Sequence, residues 1–550
     1  MIRRLKIFLL ILATCGVLSG HSQDNKMRDL QPVLFTDRDY CVSGDTLWFK
    51  VWIPEKLEEK SNVVHVQLDA NNDNVISDVA VKSEQGWAEG YIHVPDSLSS
   101  GLYFVTSFLN NQRSLTEPEV LGSTLFVYNR FEESIFEMAV PEKSAFEKYA
   151  NVDDDVQILT NQTVYKERGK VEGRVNIGSE KIAQAVVRAK MVDPLSYENG
   201  GRVKYAITIV NSEIPDFNEK DGILISGNVT DKQNNRKKGI LVLLSISDDP
   251  PYFDYCVTGQ EGDFHFYLKN ATGTASVILQ TVSGNEQELI IRSSGNVVQR
   301  VEKVPLTSKI LTVDEAGYIS DVIKGSFISK LFSQPSVTSK KYFEMPLRFE
   351  IPFYGPPSKR IVPDEFINLP DFREISRELL PGVQYRVRNN EVSFRMINLS
   401  QKMLFETEPL RLLNGIPVFK NNLFTSLKST DIEYIDLVQS ERVFGDLIFQ
   451  GIMAVSLYDK SNQWAAFQPN IYRLEIQCLQ PEREHNDSWP KVKSLSVPDM
   501  RQVFLWDVME KGTHTFSFDL SDIKGSVEIA VEGITTDNRV FKTSKIIEVK

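Results

Sequence analysis

The side chains able to do chemistry are few, and their spacing does not gather them. His65, His93, His265, His485 and His514 stand one to a segment, with no H-E-x-x-H pair and no second histidine at ligand spacing. All but His485 fall in strand-like runs and read as ordinary sheet residues. Of the four cysteines, Cys15 falls in the N-terminal apolar run expected to be removed, and Cys41, Cys256 and Cys478, which remain, are odd in number and too widely spaced for a disulfide framework. Asp153, Asp154 and Asp155 offer hard oxygens to calcium, but without the glycine and distal glutamate of a calcium loop a solvated turn is the favoured reading. Trp48 and Trp52 could stack sugars, yet their apolar neighbours favour core packing. No Gly-x-Ser-x-Gly elbow and no glycine-rich phosphate loop occurs. No catalytic, cofactor-binding or metal-ligating residue is therefore assigned, no cofactor is expected, and the chain is not expected to be an enzyme.

The strongest local signal lies in Thr36 to Ile53, TDRDYCVSGDTLWFKVWI, where Ser43, Gly44 and Asp45 turn into a strand with apolar side chains on both faces. Such a strand belongs inside a sandwich. At 550 residues the chain carries a prior of about three to five domains. Its 31 Phe and 18 Tyr favour strands over helices, and a net charge of -12 argues against nucleic acid or anionic lipid as the main partner. The opening MIRRLKIFLLILATCGVLSGHSQ has the basic start, short apolar run and small-residue end of a signal peptide, 1–22, with cleavage after Ser22 favoured over lipidation at Cys15 because Thr14 is large. No later run reaches the roughly 18 apolar residues of a membrane span, so an exported chain is expected.

Short alternating strands with a turn every ten or so residues then run from Pro32 to Arg130. The phrases TDRDY, SGDTLWFKVW and QGWAEGYIHVPDSLSSGLYFVTSF resemble the second macroglobulin domain (MG2) of alpha-2-macroglobulin-like proteins, which implies a sandwich over 30–135. TNQTVYKERGKVEGRVNI repeats its opening, with Tyr165 for Tyr40 and Gly169 for Gly44, and implies a second such sandwich over 150–218. Within 221–300, Gly227, Val229, Asp231, Gly262 and Phe264 hold the places of a carboxypeptidase regulatory-like domain, a small prealbumin-type sandwich without catalytic parts. Residues 301–365 read as an irregular linker.

From 366 to 460 the pattern changes. LPDFREISRELLP predicts a short amphipathic helix stopped by Pro381. Leu410, Asn414, Gly415, Pro417, Ile432, Glu433, Ile435, Gly445, Gly451 and Ile452 then resemble the plug of TonB-dependent outer-membrane receptors, with Asn414 in place of the usual Asp and too little chain left for the barrel. VFGDLIFQGIMAVSLY and LFETEPLRLLNGIPVF are more apolar than one small face needs, so neighbouring sandwiches, the C-terminal one among them, or a partner must cover them. A last antiparallel sandwich is expected over 470–550.

The expected fold is thus mainly β: tandem macroglobulin-, prealbumin- and Ig-like sandwiches with one α+β plug-like domain. The macroglobulin resemblance does not extend to the covalent trap, since no cysteine opens a C-x-E-Q phrase. The function these modules imply is a non-catalytic periplasmic or outer-membrane-associated scaffold with a protein partner at the outer membrane. A macroglobulin-like protease binder or a glycan-binding adhesin is the alternative.

Overall fold

In the computed structural model 52% of the chain is strand and 13% helix, more than twice the usual strand share. The protein is mainly β, in several packed sheets. The structure describes residues 31–550 apart from 72–73, 111–118, 133, 153, 179, 210–217, 283–288, 294–297, 301–302, 333–343, 345–350, 390, 468–469, 484 and 486–495. The expected signal peptide, 1–22, and Asp153 lie outside the described residues. The chain divides into two compact units, one drawn from Met1–Ile223, Asn296–Lys341 and Leu479–Lys550, the other from Leu224–Gly295 and Tyr342–Cys478.

In the first unit the aromatic strand Thr46–Trp52 lies between Val33–Thr36 and Trp87–His93, antiparallel to both. Alternation decides what each face meets. Leu47, Phe49 and Val51 enter a core with Val64, Val66, Val105 and Leu125. Trp48 on the other face is covered by Tyr91 and His485, and Trp52 packs with Phe35, Trp87 and Trp506. The turn before this strand needs its glycine: Gly44 has φ +82°, and a Cβ there would stand 2.1 Å from Asp96 Oδ1.

The second sandwich corrects two expected boundaries. Residues 150–218 and 470–550 do not form separate domains, because Lys170–Ile177 pairs along its whole length with Gly512–Asp519, and Ile182–Met191 lies between Val503–Met509 and Gly525–Thr535. Val171, Val175, Val187 and Ala189 share one core with Phe504, Phe518, Ile529 and Phe541. The reason is surface: the strands of 150–191 are too few to bury their own apolar faces, and the C-terminal strands supply the missing half. Arg202–Ile209, expected in this sandwich, instead pairs with Glu119–Tyr128 of the first.

The stretch 301–365, expected to be irregular, contains the 20-residue helix Val313–Phe332. Its start is a reciprocal cap, with Glu315 N donating to Thr312 Oγ1 at 3.2 Å and Thr312 N donating to Glu315 Oε2 at 2.8 Å. Ile319 and Val322 pack beneath it on Tyr40, Phe126 and Tyr128.

In the second unit Tyr252–Val257, Leu241–Ile246, Thr274–Val282 and Ile471–Gln477 form one sheet. Ile471–Gln477 therefore belongs here and not to a C-terminal domain. The α+β part has the expected helix, Phe372–Leu379, capped by Asp371 and packed through Phe372 on Phe394 and Phe424. Its long hairpin, Ile432–Phe444 with Leu447–Leu457, reaches the aromatic face of the neighbouring sandwich. Phe353 stacks on Phe253 at 4.5 Å, Phe444 meets both, and Tyr255 Oη accepts from Asp446 N at 2.7 Å. The cover expected from the C-terminal sandwich is thus supplied within the unit by Tyr252–Val257 and its neighbours, together with Gln280, whose amide donates to Pro417 O.

Candidate functional site

The histidines remain apart. His65 is buried with Nε2 2.7 Å from Glu219 Oε2 and its ring stacked on Phe108. His485 lies edge-on to Trp48 with Nε2 3.5 Å from Asp37. His514 meets Glu510 O, and His93 and His265 are exposed strand residues. Among the described residues no three His, Cys, Asp or Glu side chains could hold one metal ion. Asp154 and Asp155 lie in a turn. Cys41, Cys256 and Cys478 are free thiols; burial pushes Cys41 far up and Cys478 up to about 12, so neither of these two is a thiolate nucleophile at neutral pH.

The residues that do converge begin in the TDRDY phrase, where Asp37 and Asp39 face different elements. Asp37 accepts from Trp48 N at 3.1 Å and anchors the aromatic strand. Asp39 points the other way, across the seam to the second sandwich, and accepts from Lys190 Nζ at 2.7 Å and Ser196 Oγ at 2.9 Å. Tyr40 lies under Lys190, whose ammonium is 5.5 Å from the ring centroid.

Around Asp39 a buried ionic network spreads. Arg188 pairs with Glu532 at 2.7 Å and donates to Thr36 O at 3.1 Å. Arg202 donates to Leu34 O at 2.6 Å and to Glu532 at 3.3 Å. Glu528, fully buried, has Lys542 Nζ at 2.8 Å and Lys190 and Arg188 at 3.8 and 3.9 Å. Strand geometry assembles this set. Arg188 and Lys190 are two apart on one strand, Glu528 and Glu532 lie on the adjacent strand with Glu528 directly opposite Lys190, and Lys542 is directly opposite Glu532 on the next. All therefore project to one face.

Burial alone would raise the carboxyls of Asp39 and Glu532, but the nearby cations overcome it: Lys190, Arg188 and Lys542 hold Asp39 well below the usual carboxylate range, and Arg188, Lys542 and Arg202 lower Glu532. Beneath the network lies a cavity of about 370 Å³, lined by Asp39, Arg188, Arg202, Glu528, Glu532 and Lys542 and by hydroxyl residues including Thr124, Tyr149, Ser196 and Tyr197. Charge, hydroxyls and open volume coincide there. Sequence reasoning missed it. The available signal was the period-2 spacing of Arg188 with Lys190 in a strand whose only other polar residue is Gln184, which demands buried partners.

No family model matches the chain, and no curated protein matches it. Among solved structures it is similar to Salmonella alpha-2-macroglobulin reacted with methylamine, at 10% identity over 95% of this chain and 39% of that one, TM-score 0.22. It is likewise similar to the native conformation of Escherichia coli alpha-2-macroglobulin, at 9% identity over 94% and 40%, TM-score 0.22. The adhesin InvE of Yersinia pseudotuberculosis matches at 11% identity over 68% of this chain and 77% of that one, TM-score 0.13. The chain spans well under half the length of the macroglobulins it matches.

Proposed function

We propose that the chain is a non-catalytic, exported scaffold that works at the periplasmic face of the outer membrane and there engages a protein of the transport or assembly machinery through its plug-like segment. The signal-peptide pattern and the plug phrase from Leu410 to Ile452 support the place. One observation carries the binding role: on the long hairpin, Val443 and Ile448 are directly opposed cross-strand neighbours, 67% and 63% exposed. The adjacent Phe444 and Phe449 are half-buried within the unit. A paired aliphatic surface left to water near the tip of a hairpin whose base is buried is suited to a partner.

The test is purification of the full-length protein from detergent-solubilised envelope, beside a Val443→Asp/Ile448→Asp variant whose far-UV circular dichroism matches wild type. An outer-membrane barrel protein enriched with wild type and lost with the variant is the expected result. Equal recovery with both, or enrichment of a secreted protease instead, would overturn the reading.

A further inference from the structure

The helix Val313–Phe332 carries apolar residues all round its circumference, and such a helix is ordinarily buried on every side. This one is buried on one side only. Ile319 and Val322 pack on the first sandwich, whereas Val313, Phe327 and Leu331 are 89%, 61% and 65% exposed. Phe136 and Ile310, also exposed, flank the helix start, where Leu311 N donates to Phe136 O at 2.9 Å.

An exposed apolar surface of this length calls for a partner, and the order of residues along the helix identifies it. Val313, Gly317, Ser320, Lys324, Phe327 and Leu331 follow one another at steps of four and three residues in turn, the spacing of a coiled-coil seam. The series is its own complement when reversed. With two copies antiparallel about a two-fold axis level with Val322, Val313 of one copy meets Leu331 of the second copy, Gly317 meets Phe327, and Ser320 meets Lys324. We propose that this face is a homodimer interface, occupied by the same helix of a second copy in an isologous contact.

Shape and charge both favour a second copy over an unrelated protein. Gly317 is exposed, and a Cβ there would meet nothing within 4 Å. A glycine inside a helix weakens it relative to alanine, but opposite Phe327 of a second copy the gap becomes a hole for an exposed ring. Asp321, beside the seam, lies 3.2 Å from Lys324 within the helix, and both are exposed. Reversal brings Lys324 of one copy to within one residue's rise of Asp321 of the other, so each ammonium gains a carboxylate and each carboxylate an ammonium. A partner of a single charge sign would satisfy only one of the two.

The test is sedimentation velocity and light scattering on the full-length protein. Wild type should show a concentration-dependent equilibrium between monomer and dimer. Phe327→Asp, at a position already exposed, should weaken the dimer at least about tenfold by placing a charge in the seam. Asp321→Lys and Lys324→Asp should each weaken it by setting like charges face to face. Mixing these two variants in equal amounts should restore association, because each supplies the sign that the other lacks, and this arm carries the test if Phe327→Asp folds poorly. A wild-type protein monomeric at every concentration, a dimer of unchanged Kd in Phe327→Asp, or charge variants that fail to associate when mixed would each overturn the proposal.

Discussion

Asp39 and Lys190 meet at 2.7 Å although one belongs to the N-terminal sandwich and the other to a strand in the middle of the next. Lys190 has no exposed surface, and Glu528, also fully buried, stands 3.8 Å from its ammonium. The pair is therefore a bond between sandwiches of one unit, with its charge dispersed over a network.

Removing one partner should cost far more than removing both. Lys190→Met leaves Asp39 and Glu528 buried with less positive charge and should destabilise the first unit by about 3–5 kcal/mol. Asp39→Asn combined with Lys190→Met should recover much of that loss. Urea unfolding monitored by tryptophan fluorescence checks it, and equal midpoints for the single and double variants would contradict the network.

The same residues set an acid limit. Asp39 and Glu532 have folded pKa values below their unfolded ones. Their contribution to stability is fully present above the unfolded carboxyl values, about 3.9 and 4.3, and is lost as pH falls from there toward the folded values. Stability measured from pH 6 down to pH 3 should fall steeply in wild type, and the fall should be shallower in the Asp39→Asn/Lys190→Met variant.

Much of the fold was legible in the sequence because period and turn chemistry are local. The aromatic strand Thr46–Trp52, its glycine turn and the helix Phe372–Leu379 each depend on residues within a few positions. What was not legible is which apolar faces meet. Lys170–Ile177 shows alternation, yet its partner Gly512–Asp519 lies more than three hundred residues away, and nothing in a period-2 pattern names a partner. The cavity was hidden for the same reason, since Asp39, Arg188 and Glu532 converge only once the bend before Tyr40–Val42 and two strands distant from it in sequence are in place. The long helix was a different kind of miss, for Thr312 and Glu315 have capping-box spacing.

That cap gives a modest, local prediction. Thr312→Ala should cost about 1 kcal/mol, and Glu315→Gln somewhat less because the amide oxygen still accepts from Thr312 N. A larger loss for Glu315→Gln would assign more weight to its ion pair with Lys309 at 2.7 Å.

In the second unit Phe253, buried under Phe353 and Phe444, should be the central contact holding the hairpin to the sandwich. Phe253→Ala should destabilise this unit by about 3–5 kcal/mol and raise the binding of a dye specific for exposed apolar surface. The unfolding midpoint of the first unit should not move.

The most direct consequence of the topology concerns the two ends of the first unit. If 470–550 were a domain of its own, deleting residues 503–550 would leave 150–191 folded and protected. In the observed pairing the deletion removes Gly512–Asp519 from Lys170–Ile177 and both neighbours of Ile182–Met191, and exposes Val171, Val175, Val187 and Ala189. The truncated protein should be cleaved within 150–191 by low protease concentrations that spare the full-length chain, while the second unit stays resistant. Supplying residues 496–550 as a separate polypeptide during refolding should restore protection, because the missing strands bring their own hydrogen-bonding edges and half of the core. Resistance of 150–191 without the C-terminal strands would show that this sandwich closes by other means.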